Sequence, residues 1–217
     1  HCGFIFNPEV NPAWDYYTKG YEDQQGFSPT FVKFITAITE RSIDKHDVRH
    51  KQVLEIGCGK GDFLCLVCDL GHNQGVGIDP AWVAGRTPVR PDVRFIREFY
   101  SARHAQIEAD CVLCRHTLEH IDAVDAFLAT IRAACEGRDT IVFFEVPNVQ
   151  RILEVQAFWD IFTEHCSYFS PASLARLFRR NHFEVLDLYL GYDDQYLFVE
   201  ARPVGAAGQT THPLEEA

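Results

Sequence analysis

The chain of 217 residues contains no methionine. A translated reading frame opens on methionine and this one opens on His1-Cys2-Gly3, so the sequence reads as a fragment or a trimmed product. It has no apolar run near the roughly 20 residues that a membrane span needs, and no stretch reads as a signal peptide. Basic residues are few: 20 Lys and Arg stand against 31 Asp and Glu, a formal net charge of −11. That balance argues against a dedicated nucleic-acid binder, whose footprint is basic. A disulfide framework is argued against as well. Eight cysteines are present, but Cys65 and Cys68 fall in an apolar helical pattern and Cys111 and Cys114 in an apolar strand pattern. These two Cys-x-x-Cys pairs enclose Leu66-Val67 and Val112-Leu113, which are core filler, whereas zinc ribbons set such pairs on turns. They are read as structural thiols, and no metal is expected. Reduced thiols suit a cytoplasmic setting. Hydrophobic residues make up 47% and aromatics 13%, which fits one large globular domain, or one domain with an appendage.

What is present centres on Val53-Leu-Glu-Ile-Gly-Cys-Gly-Lys-Gly61. A short apolar run carrying Glu55 enters three glycines, Gly57, Gly59 and Gly61, and an apolar helical pattern follows from Asp62. A strand ending in such a turn lets a ligand approach bare backbone, because no Cβ stands in the way. A second strand, Gly75-Val-Gly-Ile78, ends at Asp79-Pro80, 24 residues past Glu55. An acid at the end of strand two is where α/β nucleotide folds hold ribose hydroxyls. Dinucleotide sites use G-x-G-x-x-G to seat a pyrophosphate; the spacing here is G-x-G-x-G. It resembles the first motif of class I methyltransferases, which bind S-adenosylmethionine (SAM). The resemblance implies that Gly57, Cys58 and Gly59 line the methionyl part, that Gly61 belongs to the same cofactor-binding set, that Glu55 orders the loop and reaches toward the amino end, and that Asp79 takes the ribose. The alternative is an ordinary strand–turn–helix with glycines for packing.

Along the rest of the chain, residues 1–27 are irregular and aromatic-rich. Ser28-Pro29 starts a helix carrying Phe31, Phe34, Ile35 and Ile38. Residues 42–52 read as a charged loop, 53–56 as a strand, 61–71 as a helix and 75–78 as a strand. A short helix is expected near 81–85, then strands at 93–96 and 111–115. Asp122 is expected to cap a helix with Val124, Phe127, Leu128 and Ile131. Thr140–Val146 reads as a strand buried on both faces, Ser170-Pro171 as a helix start, and 183–190 with 195–201 as an antiparallel pair. Residues 203–217 lack periodicity and read as a flexible tail. Strands alternating with helices predict an α/β fold, here a Rossmann-like class I methyltransferase sheet, mostly parallel with a final antiparallel strand. The expected division is a cap over residues 1–50, a SAM-binding domain over 51–202 and the tail over 203–217.

Three polar segments carry the candidate chemistry. Arg115-His-Thr-Leu-Glu-His120 follows the fourth strand, Phe144-Glu-Val-Pro-Asn148 ends the fifth, and Glu164-His165-Cys-Ser-Tyr-Phe-Ser170 precedes a capped helix. Two histidines and a glutamate after strand four are candidate bases; helix-start carboxylates and a polar cap are the other reading. Together with Cys2-Gly-Phe-Ile-Phe-Asn7, these segments resemble the sugar C-methyltransferases. There the N-terminal piece ends a zinc-binding module, of which this chain keeps one cysteine, so no structural zinc is expected. That resemblance implies a small acceptor, a nucleotide-linked keto-sugar or a natural-product intermediate. A base removes a proton beside the carbonyl and the carbon attacks the SAM methyl. His120, Glu164, His165 and Tyr21 are the implied catalytic residues. Phe99 and His116 join the cofactor set, Phe99 because the family often holds adenine after the third strand. Departures are Phe162 where the family often has tyrosine, and the lack of a long C-terminal domain. O- or N-methylation with His120 as base, and a SAM-fold module without turnover, stay open. The acceptor, the atom methylated and the oligomeric state are not legible.

Overall fold

The computed structural model describes residues 3–10, 26–87, 90–205 and 210–216. Tyr21 and Cys2 lie outside them. In chain order the elements are β1 (Ile5–Phe6), α1 (Pro29–His46), β2 (Gln52–Ile56), α2 (Asp62–Gly71), β3 (Gln74–Ile78), β4 (Val93–Ile96) and β5 (Cys111–Arg115). There follow α3 (Val124–Ala134), β6 (Ile141–Pro147), α4 (Val149–Glu154), β7 (Ser167–Tyr168), α5 (Pro171–Arg180), β8 (Phe183–Gly191) and β9 (Tyr196–Pro203). Seven strands form one sheet in the order β4-β3-β2-β5-β6-β9-β8, and β1 pairs with β7 in a second, two-stranded sheet. β2, β3 and β4 run parallel. β9 runs antiparallel to both β6 and β8. The chain divides into two compact units, Asp15–Leu113 and His1–Trp14 with Cys114–Ala217.

In the unit ending at Leu113, Ser28 caps α1 by accepting the Phe31 N–H, and Pro29 stands where its missing N–H costs nothing. The helix buries Phe31, Ile35, Thr39 and Ile43 at the expected spacing. It runs to His46, so residues 42–46, read as loop, are helical. Asp47 then turns left-handed and donates its N–H to the Ile43 carbonyl. α2 covers the sheet with Phe63, Leu64, Val67 and Cys68. No helix forms over 81–85. The Asp79 carboxylate takes the Ala81 N–H at 2.6 Å, and the segment makes separate turns ending on Gly85 at φ 84°.

In the other unit, β6 is buried almost throughout, as expected, with Phe143 and Phe144 among the largest fully buried side chains. α3 starts at Val124 behind Ala123, with no side-chain cap. The expected capping Asp122 is exposed instead, and the first-turn carboxylate is Asp125, which accepts from Asn181 at 3.0 Å. α5 has the expected start, with Ser170 and Ser173 exchanging bonds in a capping box. The end of the chain departs from a bare tail. Pro203 closes β9, and Pro213–Glu216 forms a 3-10 turn where Arg179 grips Glu215 through both guanidinium nitrogens at 2.5 and 2.7 Å.

No cysteine among the described residues is in a disulfide. Burial raises the Cys65 thiol and, with the Asp92 charge, pushes Cys68 up to about 12, which suits structural thiols. Among the described residues no helix is long and apolar enough to cross a membrane.

Candidate active site

The glycine turn follows β2. Gly57 and Gly59 take φ of 71° and 53°, a region that side chains with a Cβ rarely adopt. The turn is fixed at both ends. Gly57 donates to the Ile78 carbonyl at 2.8 Å and Gly61 to the Cys58 carbonyl at 2.8 Å. Asp79, nearly buried at the end of β3, receives the Gly59 N–H on Oδ2 at 2.8 Å and the Ala81 N–H on Oδ1. The acid that ties the turn thus stands at the end of β3, where α/β nucleotide folds place the group that accepts from ribose hydroxyls. That donor and acceptor set fits the sugar and amino-acid ends of SAM. Gly61 serves packing: a Cβ there would meet the Phe95 ring at 2.4 Å. Glu55 and Cys58 are buried beside the turn, and Phe99 is exposed beyond β4. Lys60, which the sequence reading passed over, is buried and donates to the Ala81 carbonyl at 3.1 Å.

In the other unit, β5 is followed by His116, whose φ of 46° is left-handed. Such a conformation is uncommon for a residue with a side chain and concentrates where function constrains the backbone. His116 Nε2 meets Glu145 Oε1 at 3.1 Å and its Nδ1 lies 3.6 Å from Glu119 Oε1. Arg115 Nε donates to the second oxygen of Glu145. Burial alone would lower the His116 pKa and raise that of Glu145. The paired charges reverse both: His116 is raised to about 9 and Glu145 lowered to about 2. Glu145, in the polar segment that ends the fifth strand of the sequence reading, is thus fully buried in an ion-pair network.

The segment bearing His165 is pinned to that network by its backbone. The Cys166 N–H donates to the Glu119 carbonyl at 2.7 Å, and its thiol to the His120 carbonyl at 3.3 Å. From the other side β1 pairs Ile5 with Tyr168 and Phe6 with Ser167, so the N-terminal piece is a strand docked beside the Glu-His segment. The rings of His120 and His165 meet edge to face at 4.8 Å. Burial pulls His165 down to about 4, which leaves its ring neutral at pH 7. The carboxylate gathered with these two imidazoles is Glu119. Sequence reasoning weighed it as a candidate base and as a helix-start acid, and left it out of the implied catalytic set. Glu164, the neighbour expected to pair with His165, is half-buried and accepts from the Thr163 hydroxyl at 3.3 Å. Glu119 could not be found by periodicity, because its approach to His165 is a contact between distant segments.

A seven-stranded α/β sheet with one antiparallel strand set inside its edge, a glycine turn after β2 and an acid closing β3 define the Rossmann-like methyltransferase class. The family described as "methyltransferase domain" matches residues 30–188, and the chain belongs to it. It is 31% identical over 145 residues to C-methyltransferase NovU of Streptomyces niveus, covering 63% of this chain and 34% of that protein. The chain therefore spans about a third of the length of that relative. Among solved structures it shares its fold with the Burkholderia thailandensis 1,6-didemethyltoxoflavin-N1-methyltransferase bound to S-adenosylhomocysteine. That match has a TM-score of 0.56 and 20% identity over 82% of each chain. The human N-acetylserotonin methyltransferase in complex with SAM gives a TM-score of 0.59 and 14% identity, over 78% of this chain and 52% of that one. The Streptomyces davawensis dimethyltransferase RosA gives 0.58 and 19%, over 82% and 60%.

Proposed function

We propose that the chain is a SAM-dependent methyltransferase of a small molecule that methylates carbon, on a keto-sugar or a natural-product intermediate. The observation that carries the cofactor reading is the Asp79 carboxylate at the end of β3, which accepts the Gly59 N–H of the glycine turn and the Ala81 N–H. When bound, SAM supplies an electrophilic sulfonium methyl, and the S–C bond breaks as the new bond to the acceptor forms. Gly57 and Gly59 leave the backbone open to the methionyl part, and Asp79 accepts from the ribose. The carbon reading rests on His120 and His165, two imidazoles held together beside a buried carboxylate. Carbon next to a carbonyl is a weak acid, and its proton needs a placed base. His120 takes that proton, and Glu119 offsets the charge then gained by the imidazole. Relatives named for carbon and for nitrogen methylation share the fold, so transfer to nitrogen or oxygen with His120 as base is the second reading. Calorimetry with SAM and with S-adenosylhomocysteine tests the first step; binding of neither ends the proposal. Mass spectrometry of products from a panel of nucleotide-linked keto-sugars, with wild type and a Glu164→Gln/His165→Gln variant, tests the second. A product methylated on carbon and lost in the variant is expected. A product on nitrogen or oxygen that the variant still makes overturns carbon methylation.

A further inference from the structure

We propose that Glu119, His120 and His165 form a binding site for one divalent cation of the imidazole-preferring class, zinc before all. One ligand atom from each residue lies within 4.8 Å of the other two. Glu119 is 1% exposed and His165 5%. Glu119 Oε2 and His165 Nδ1 are buried with no hydrogen-bond partner among the described residues. A buried polar atom left unsatisfied costs the fold its full desolvation penalty. Two on neighbouring side chains, one on a carboxylate and one on an imidazole, are an arrangement that a cation relieves. Zinc bonded at about 2.0–2.2 Å keeps its ligand atoms roughly 3.3–3.6 Å apart, so occupancy needs side-chain rotation of the order of 1 Å. Two nitrogens and one oxygen favour zinc, cobalt and nickel over magnesium and calcium, which take all-oxygen sets.

Two further features fit this use. The segments that bear the ligands are bonded to each other through the Cys166 N–H and the Glu119 carbonyl, so the backbone need not be gathered by the cation. The other oxygen of Glu119 faces His116, which is itself held by Glu145; ligating carboxylates are commonly oriented by such outer partners. Three protein ligands leave a coordination position open. With the cation bound, His120 is a ligand and not the base named above; on the methyl-transfer reading the open position would then polarise an acceptor carbonyl oxygen. The cation site itself does not rest on that reading.

The test is a titration of the chelator-treated, reduced full chain with cobalt(II) chloride, followed by visible absorption, then displacement by zinc. SAM binding is measured in parallel. One cobalt per chain is expected, with visible ligand-field bands and no thiolate charge-transfer band. Glu119→Gln and His165→Gln should each weaken binding at least tenfold, and Cys166→Ser should leave it unchanged. No stoichiometric binding overturns the proposal. So does a thiolate band, or affinity that survives Glu119→Gln and His165→Gln. The wild-type spectrum decides even where a variant fails to fold. A chain that binds SAM and no cobalt sinks the cation site alone; one that binds cobalt and no SAM sinks the cofactor reading alone.

Discussion

Asp79 illustrates how much a single side chain organises. Its two oxygens hold the N–H groups of Gly59 and Ala81, so it shapes the turn and remains a candidate ligand to the cofactor. Asp79→Ala leaves both donors unpaired, at about 1–3 kcal/mol for each that stays buried. Calorimetry should show SAM affinity lower by at least tenfold, with Asp79→Asn between that variant and wild type. Equal affinity in the alanine variant would detach the acid from cofactor binding. Glu145 supports a prediction of a different sort. Its carboxyl is held at about 2, below the ordinary 4.5, so the folded state favours the ionised form. The resulting stability is fully present above pH 4.5 and is lost as the pH falls toward 2. Urea midpoints measured from pH 6 to pH 3 should fall, and should fall less steeply in an Arg115→Met/Glu145→Leu double variant. Glu145→Leu alone removes the carboxylate paired with a buried guanidinium and should cost about 3–5 kcal/mol, more than the double change. The sequence showed that acids and histidines cluster after the strands. It did not show which pair. Glu164 stands beside His165 in the chain, but adjacency in an irregular segment does not bring side chains together, and Glu119 arrives from a distant one.

Among the elements, β3 shows why glycine recurs there. A Cβ on Gly77 would lie 2.6 Å from the Phe95 ring and 2.7 Å from the Cys58 sulfur. Gly77→Ala should cost about 1–3 kcal/mol through overpacking, read as a lower urea midpoint with an unchanged slope. The turn between β8 and β9 carries strain of another kind: Tyr192, Asp193 and Asp194 are all left-handed, with φ between 54° and 59°. Arg151 holds the Asp193 carbonyl at 2.7 Å and Asn148 the Asp194 carbonyl at 3.0 Å. A β-branched residue is a poor occupant of that region. Asp194→Val should lose about 1–2 kcal/mol while Asp194→Gly keeps or raises the melting temperature. An equal loss in both would place the cost elsewhere. Periodicity gave the strands and helices because burial on one face leaves a repeat in the sequence. Helix ends were harder. Nothing in Ser42–His46 distinguishes a last helical turn from a charged loop, and Asp79 takes up the Ala81 N–H where a helix at 81–85 was expected.

At the scale of the whole chain, the C-terminal residues are tied by one strong pair. Arg179 and Glu215 are 17% and 8% exposed and bonded twice; burial raises the Glu215 pKa, and the Arg179 bond outweighs it to hold it below the usual carboxylate range. Removing residues 205–217 leaves that guanidinium without its partner and should cost about 1–3 kcal/mol. Glu215→Gln should reproduce part of the loss of melting temperature; no loss in either variant would show the pair to be a surface accident. This anchor was illegible because Pro-Leu-Glu-Glu is too short for any period. The sheet was legible as a class, since the glycine turn and the alternating pattern both match one family, whereas no local pattern encodes the order of its strands. That order has a consequence for synthesis. Tyr196–Pro203 slots between two strands made before it. A nascent chain that has emerged through Pro147 therefore presents the hydrogen-bonding flank of Ile141–Pro147 unoccupied until a much later stretch arrives. Such flanks recruit wrong partners, and the wait grows with the sequence gap to be bridged. The ribosome sets that delay, so production in cells should improve with a chaperone that shields aromatic strands while the later stretch is made.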